Sequence, residues 1–196
     1  MKILIASNNS HKINEFNKIL TKFSQIRLLT PNDLLIDSQI DENGSTFEEN
    51  SFIKAKAFFE LSKIPVIADD SGLEVDILDG KPGIFSARYA GDGASDAQNR
   101  LKLLEELKSF SKKSWTARFR CVLCFYDGNV PILFEGNCDG KIIDEERGIN
   151  GFGYDPIFVP TKNILTFAEI APEIKNKISH RAVALNKFAS FLERNY

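Results

Sequence analysis

The chain has 196 residues, of which 43% are hydrophobic and 16 are phenylalanine, and its formal net charge is −2. This length is sufficient for a large apolar core, and we expect residues 1–196 to form a single domain with two lobes. The small net charge gives no reason to expect a nucleic acid or an anionic membrane surface as a partner. Any phosphate site must therefore be a local cluster of cations.

The cysteines predict a reduced, cytoplasmic location. There are three of them, Cys121, Cys124 and Cys138, and neither a signal peptide nor a long apolar span precedes them. Cys121 and Cys124 have the spacing of a metal or redox motif, but no second pair or histidine cluster follows. Because side chains three apart on a strand face opposite ways, we expect structural roles for both.

The first predicted elements are a buried strand at residues 2–6 and an amphipathic helix from about Lys12 onward. The strand is a short apolar run. The helix is predicted because apolar residues recur at three- and four-residue spacing from Ile13 to Phe23. The helix N-terminus should therefore face the end of the strand.

The polar segment between these two elements is a candidate phosphate site. Backbone N–H groups and the helix dipole attract anions at a helix N-terminus, and Lys12 adds a full positive charge. The segment matches neither the Walker loop nor the dinucleotide-binding glycine pattern, and a simple polar cap explains it equally well. The candidate substrate-binding residues of this segment are Ser7, Asn8, Asn9, Ser10, His11 and Lys12.

A second strand is predicted at residues 26–29, and a second helix begins after Thr46 and ends near Ser62. Thr46 followed by Glu49 forms a capping box. The apolar spacing predicts a buried stripe on this helix that consists of Phe52, Ala55 and Phe59.

Two polar features accompany this helix. Asn50 and Lys54 are four residues apart and share a helix face away from the apolar stripe, where a lysine is usually solvated. Asp41 and Glu42, just before the cap, either complement the helix dipole or join Asp70 around a divalent cation.

An apolar run at residues 65–68 ends abruptly in Asp69, Asp70, Ser71 and Gly72. We interpret it as a buried strand that runs into an active loop at the edge of a sheet. If the strand persists, the two carboxylates point in opposite directions. An ordinary Asx turn explains the segment equally well, an aspartyl-phosphate mechanism is a minor option, and the nucleophile elbow pattern is absent.

The rest of the chain indicates an α/β protein with a mixed sheet and flanking helices. Residues 73–77 alternate as a half-exposed strand, and Ser95 with Gln98 begins a further helix. Residues 115–126 and 130–136 form a predicted antiparallel hairpin. Arg88, between these elements, could bind phosphate or pair with an acid.

A second dense stretch lies at residues 148–158. Its glycines let the backbone approach a ligand, Phe152 offers a face for stacking, and Asp155 offers an acceptor. Ser179 is the expected cap of the last helix, where His180 and Arg181 form a donor-rich pole just after Lys175.

Four segments together resemble the inosine/xanthosine triphosphate pyrophosphatase family, over nearly the whole chain and in the same order. They are residues 7–12, residues 46–50 with Lys54, residues 68–76, and residues 151–156 followed by 179–181. The resemblance implies an α/β fold with an elongated mixed sheet, two lobes around a central nucleotide cleft, a homodimer and a requirement for Mg²⁺. It also implies hydrolysis of ITP, dITP and XTP to the monophosphate and pyrophosphate.

The resemblance also implies roles for individual residues. Asp70 would be the catalytic acceptor and a magnesium ligand, with Asp41 or Glu42 as the second acidic ligand, and Ser71 would touch substrate. Two positions depart from the family pattern, because Asn8 and Asn150 stand where glycine is common. The implied nucleotide-binding residues are Ser7, Asn8, Asn9, Ser10, His11, Lys12, Lys54, Ser71, Phe152, Gly153, Tyr154, Asp155, Lys175, His180 and Arg181.

These roles predict a mechanism. Asp70, directly or through the metal, activates a water that attacks the α-phosphorus in line, and Lys12 and Lys54 neutralise the leaving pyrophosphate. A donor from His180 or Arg181 to a C6 carbonyl would favour hypoxanthine and xanthine over adenine. The alternatives are a pyrophosphatase for modified pyrimidine triphosphates and a nucleotide-binding regulator without turnover.

Overall fold

The computed structural model describes residues 1–20, 23–37, 40–111 and 115–195. These residues form an α/β fold, as predicted. The strands are β1 (Lys2–Ile5), β2 (Arg27–Leu29), β3 (Val66–Val75), β4 (Thr116–Tyr126), β5 (Ile132–Ile142) and β6 (Phe158–Pro160). The helices are α1 (Ser10–Leu20), α2 (Phe47–Ser62), α3 (Asp96–Leu107), α4 (Pro172–Ile178) and α5 (His180–Asn195).

The six strands form one mixed sheet in the order β2-β1-β3-β4-β5-β6. β1 lies parallel to both β2 and β3, whereas β5 and β6 are antiparallel. β4 and β5 are neighbours joined by residues 127–131, a connection too short for a parallel crossover. The predicted mixed sheet and hairpin are therefore confirmed, with β5 extending six residues beyond Gly136 to Ile142.

The chain divides into two compact units. The first unit comprises residues 1–70, 121–136 and 181–196, and the second unit comprises residues 71–120 and 137–180. In the first unit, α1 and α5 pack buried side chains such as Phe16 and Phe188 against β1, β3 and β4. In the second unit, α3 and the start of β6 contribute Leu103 and Phe158 to a separate core.

The predicted loop at the paired aspartates is wrong, because Asp69 to Gly72 lie within β3. The strand continues to Val75, so the separately predicted strand at residues 73–77 is its second half. Gly72 allows this path, since a Cβ there would lie only 2.3 Å from the carbonyl oxygen of Gly83. The two carboxylates are thus fixed on opposite sides of a strand.

The predicted capping residues of α2 and α3 are largely confirmed. The Thr46 hydroxyl accepts the Glu49 N–H, and Ser95 with Gln98 forms a full capping box at α3. The Glu49 carboxylate also accepts from the N–H and hydroxyl of Ser45. The predicted stripe on α2 is shifted, because Ala55 and Phe58 are buried while Phe52 and Phe59 are partly buried.

All three cysteines are buried free thiols. Burial raises the pKa of Cys121 and Cys124 to about 12 and that of Cys138 to about 11, so they are protonated at neutral pH. Buried, protonated thiols fit the structural role expected for Cys121 and Cys124. Among the helices of the described residues, none is long and apolar enough to cross a bilayer.

Candidate active site

The Asp69 carboxylate is held by cations of the first unit. Only 1% of this residue is exposed, and its Oδ2 lies 2.9 Å from Lys12 Nζ and 3.2 Å from Arg181 Nε. Burial alone would raise the pKa of Asp69, but the charges of Lys12, Arg181 and Lys54 outweigh it and hold the pKa well below its usual range. Asp69 is therefore a permanent anion that orders these cations.

The neighbouring Asp70 carboxylate behaves in the opposite way. It is buried, and the Asn50 side-chain amide donates to its Oδ2 at 3.0 Å. Burial, with the nearby charge of Glu42 adding to it, raises the pKa of Asp70 to about 6 against the opposing effects of Lys54 and Asn50. A carboxyl group with this pKa is suited to accept a proton near neutral pH.

Asn50 is itself fixed by the backbone before α2. Its Oδ1 accepts the Gly44 N–H at 2.8 Å, and the residue is 1% exposed. A Cβ at Gly44 would lie 2.8 Å from that oxygen, so only glycine allows the approach. The amide orientation of Asn50, and hence its bond to Asp70, is set by this contact.

Lys54 connects the acidic groups. Its Nζ donates to the backbone carbonyl of Asp69 at 2.7 Å and lies 2.8 Å from Glu42 Oε1. Burial would lower the pKa of Lys54, but Asp69 and Glu42 outweigh it and raise the pKa, so the side chain stays charged. Asp41, the other predicted acidic ligand, has an exposed side chain.

The predicted phosphate segment forms the entry to α1. The Asn9 side chain caps the helix, because its Oδ1 accepts the N–H groups of His11 and Lys12 at 2.9 and 3.2 Å. Ser7 is partly buried, and its hydroxyl accepts the Asn9 N–H at 3.2 Å. The exposed side chains of the segment are Asn8, Asn9, Ser10 and His11.

The acidic groups of the first unit are suited to a magnesium ion bound together with a phosphate. Glu42 raises the pKa of Asp70, so the two carboxylates are close enough to repel, and a divalent cation would relieve this repulsion. No cluster of three or more histidine, cysteine or acidic ligands occurs within the described residues. Mg²⁺ commonly takes only one or two carboxylates plus substrate phosphates, so the donor set fits.

The second unit contains the glycine-rich loop, residues 148–155. Asp155 is 3% exposed, and its Oδ2 accepts the Phe152 N–H at 2.8 Å and lies 2.5 Å from Lys175 Nζ. Gly151 has φ +78°, and a Cβ there would lie 1.9 Å from the same oxygen. The loop can therefore form only with glycine at position 151.

Aromatic rings surround the Lys175 ammonium group. It lies 5.2 Å from the centroid of Phe152 and 5.4 Å from that of Phe167, a cation–π arrangement. The Phe152 ring is partly buried, whereas Tyr154 is buried and its hydroxyl donates to the Ser86 carbonyl oxygen at 2.9 Å.

The remaining predicted residues have diverse surroundings. His180 is buried, and its ring stacks on Phe119 with centroids 4.8 Å apart. Arg181 is buried in the first unit, where its Nη1 lies 2.6 Å from Glu15 Oε2 in addition to the contact with Asp69. Ser71 is partly buried on β3. Arg88, left open by the sequence, lies over the ring of Phe85.

A model of the Ham1 family matches residues 3–191. The chain belongs to the Ham1 family. It is 47% identical to the dITP/XTP pyrophosphatase of Halalkalibacterium halodurans, over 97% of this chain and 98% of that protein. It is 45% identical to the dITP/XTP pyrophosphatase of Bacillus subtilis, over 97% of this chain and 96% of that protein.

Solved Ham1 structures share the fold. The Staphylococcus aureus Ham1 protein has a TM-score of 0.90 and 43% identity, with complete coverage of both chains. A HAM1 protein from Coxiella burnetii has a TM-score of 0.92 and 38% identity, with 99% of each chain covered. The family and fold implied by the sequence resemblance are thereby confirmed.

Asn50, Asp96 and Arg100 are among the contact residues that the sequence prediction did not include. Asn50 orients Asp70, while Asp96 and Arg100 of α3 bond to the two peptide groups of Gly153. The only sequence signal was their four-residue spacing from a neighbour on the same helix face, Asn50 with Lys54 and Asp96 with Arg100. That spacing shows a shared face but not what the face contacts.

Proposed function

We propose that this chain hydrolyses non-standard purine nucleoside triphosphates, namely dITP, XTP and ITP, to the monophosphate and pyrophosphate. The observation that carries the proposal is the pair of adjacent buried carboxylates on β3, one held as an anion among cations and one with a pKa raised to about 6. The relatives from Halalkalibacterium halodurans and Bacillus subtilis, both named dITP/XTP pyrophosphatase, support the same reaction. The chain would remove such nucleotides from the pool used for nucleic-acid synthesis.

In this proposal Asp70 is the catalytic base. Its raised pKa allows it to take a proton from a water that attacks the α-phosphorus, which gives a monophosphate and pyrophosphate. Asn50 holds the carboxylate through Oδ2 at 3.0 Å. The water must lie in line with the departing pyrophosphate, and the fixed orientation of Asp70 on a strand favours such alignment.

Lys12 and Lys54 are the proposed partners of the triphosphate. Both ammonium groups are already ordered by Asp69, through its carboxylate and its backbone carbonyl respectively. Cations fixed before the reaction stabilise the charge that develops on the leaving group without a reorganisation cost. The polar side chains proposed to join them are Ser7, Asn8, Asn9, Ser10, His11 and Ser71.

Mg²⁺ is the proposed cofactor, and Asp70 with Glu42 would hold it. When bound, the ion would supply positive charge that polarises the phosphoryl group. Glu42 is preferred to Asp41 because its carboxylate pairs with Lys54 and acts on Asp70, whereas the Asp41 side chain is exposed.

We propose that Phe152 stacks on the purine base. Its backbone N–H is fixed by Asp155, and Lys175 fixes that carboxylate in turn. Gly153, Tyr154 and His180 remain proposed nucleotide-binding residues. For Arg181 the contacts with Asp69 and Glu15 favour a positioning role over direct reading of the base.

A homodimer in the cytoplasm is also proposed, as the sequence resemblance implies. Analytical ultracentrifugation tests the dimer, and cell fractionation with an antibody tests the location. A monomer at micromolar concentration would contradict the first part.

The decisive experiment is a panel of nucleoside triphosphates with Mg²⁺, in which pyrophosphate and orthophosphate are measured separately. We expect pyrophosphate from dITP, ITP and XTP, little product from ATP or GTP, and none with Asp70→Asn. Orthophosphate as the first product would indicate attack at the γ-phosphorus and contradict the mechanism. Preference for modified pyrimidine triphosphates, or binding without turnover, would support the two alternative functions.

A further inference from the structure

Three consecutive peptide groups of the glycine-rich loop are each bonded to a charged side chain. The N–H of Phe152 donates to Asp155, and the N–H of Gly153 donates to Asp96 Oδ2 at 2.6 Å. The carbonyl oxygen of Gly153 accepts from Arg100 Nη1 at 2.7 Å. The backbone on both sides of the Phe152 ring is therefore fixed by side chains.

The two contacts to Gly153 come from one face of one helix. Asp96 is the first residue of α3 and Arg100 lies four residues later, so both project toward the same side. Arg100 is in turn held by Glu146, with Nε and Nη2 lying 2.9 and 3.0 Å from its two carboxylate oxygens. Its guanidinium group thus reaches Gly153 in a single, preset orientation.

Gly153 is the point in the loop where such restraint matters. It has φ +61°, and a Cβ there would meet nothing within 4 Å, so packing does not fix this residue. Glycine has the greatest backbone freedom of any residue. Without Asp96 and Arg100, the peptide groups that follow Phe152 would lose the two bonds that define their orientation.

We infer that Asp96 and Arg100 are positioning residues that hold the Phe152 ring in the orientation that binds a purine base. This inference rests on the proposed role of Phe152 in the function above. An aromatic ring that is already held in its binding orientation binds a base more tightly, because less conformational entropy is lost on binding. The pair should therefore affect affinity for the base and leave the chemical step unchanged.

The test compares Asp96→Ala, Asp96→Asn and Arg100→Ala with the wild-type chain. Asparagine keeps an acceptor for the Gly153 N–H, so Asp96→Asn is the conservative rescue. Arg118→Ala is the matched control, because Arg118 also pairs with acidic side chains, Glu74 and Asp76, in the second unit. Thermal unfolding checks that each variant folds.

Two readouts separate positioning from a general structural effect. We expect Asp96→Ala and Arg100→Ala to raise KM for ITP and the calorimetric Kd of inosine monophosphate about tenfold, with kcat changed less than twofold. The Kd of pyrophosphate, which has no base, should stay within twofold of wild type. Asp96→Asn and Arg118→Ala should resemble wild type in every assay.

The outcomes distinguish this inference from the proposed function. Variants that bind inosine monophosphate as the wild type does, or that lose pyrophosphate affinity equally, would overturn the positioning role and leave the proposed function intact. A wild-type chain that binds inosine monophosphate but releases no pyrophosphate from any purine triphosphate would overturn the function, and the Kd comparison would still decide the positioning role. A wild-type chain that does not bind inosine monophosphate would overturn the positioning role, while pyrophosphate release from ITP would still decide the proposed function.

Discussion

Asp69 and Asp70 are adjacent on β3, yet their carboxyl groups have pKa values shifted in opposite directions. Lys12 and Arg181 contact Asp69 and keep its pKa low, whereas burial and Glu42 raise the pKa of Asp70 to about 6. Strand geometry makes this separation possible, because neighbouring side chains project to opposite sides of the backbone. Asp69 can therefore order cations while Asp70 exchanges protons.

Replacement of Asp70 by asparagine should stabilise the metal-free fold at neutral pH. The folded pKa of about 6 lies above the ordinary value of 3.8, so the stability contribution of Asp70 is fully present below about pH 4 and is lost as pH rises through 6. Ionised Asp70 then costs about 2 to 3 kcal/mol. Urea unfolding with a chelator at pH 8 should show Asp70→Asn more stable by an amount of this order, with little difference at pH 4. Equal stability of wild type and Asp70→Asn at pH 8 would mean that ionisation of Asp70 does not destabilise the fold.

Asp69→Asn should have the opposite effect. The lowered pKa of Asp69 contributes stability that is present above the ordinary pKa and is lost as pH falls toward the folded value. Loss of the charge leaves the buried Arg181 and the partly buried Lys12 beside a neutral group, at a cost of about 3 to 5 kcal/mol at pH 7. The same urea titration measures this cost, and Asp70→Asn is the neighbouring control. A neutral or stabilising result for Asp69→Asn would contradict the proposed ordering role.

Lys12→Ala should weaken triphosphate binding. The side chain is 17% exposed at the start of α1, and its ammonium group is a proposed phosphate contact. Since a charged hydrogen bond contributes about 1.5 to 3 kcal/mol, KM for ITP should rise at least tenfold. Lys18→Ala, on the exposed side of the same helix, should leave KM unchanged. An unaltered KM in Lys12→Ala would remove Lys12 from the phosphate site.

Asn50→Ala should move the acidic limb of the pH profile. The amide of Asn50 donates to Asp70 and lowers its pKa, so removal of the amide raises that pKa further. In a plot of kcat/KM against pH, the acidic limb should therefore shift to higher pH. Lys56→Ala, an exposed position on the same helix, should keep the wild-type profile. An unshifted limb would show that Asp70 is not the group that titrates.

Local sequence signals predicted those parts of the molecule that depend on local contacts. The Ser95 and Gln98 capping box, the hairpin of β4 and β5 and the position of Asp70 could all be found from short segments. The prediction of a loop at Asp69 was wrong because the continuation of β3 depends on the close approach of Gly83 to Gly72. No local sequence pattern reveals this approach.

The missed contacts have the same physical origin. Asp96 and Gly153 are 57 residues apart in sequence, and Asn50 and Asp70 are 20 apart. A sequence pattern places each side chain on a helix face, but the partner is decided by how the chain folds back. The buried face of α2 was misplaced for a related reason, since Phe58 and Phe59 satisfy an apolar spacing almost equally well.

The buried thiols give this chain a practical property for labelling. With pKa values of about 11 to 12, no more than about one native thiol in ten thousand is a thiolate at pH 7, and all three are shielded from reagents. A single new cysteine at an exposed position would therefore react selectively without removal of the native ones. Ile149→Cys, at a site 98% exposed in the glycine-rich loop, would carry a fluorophore that tests the proposed nucleotide binding at that loop in real time.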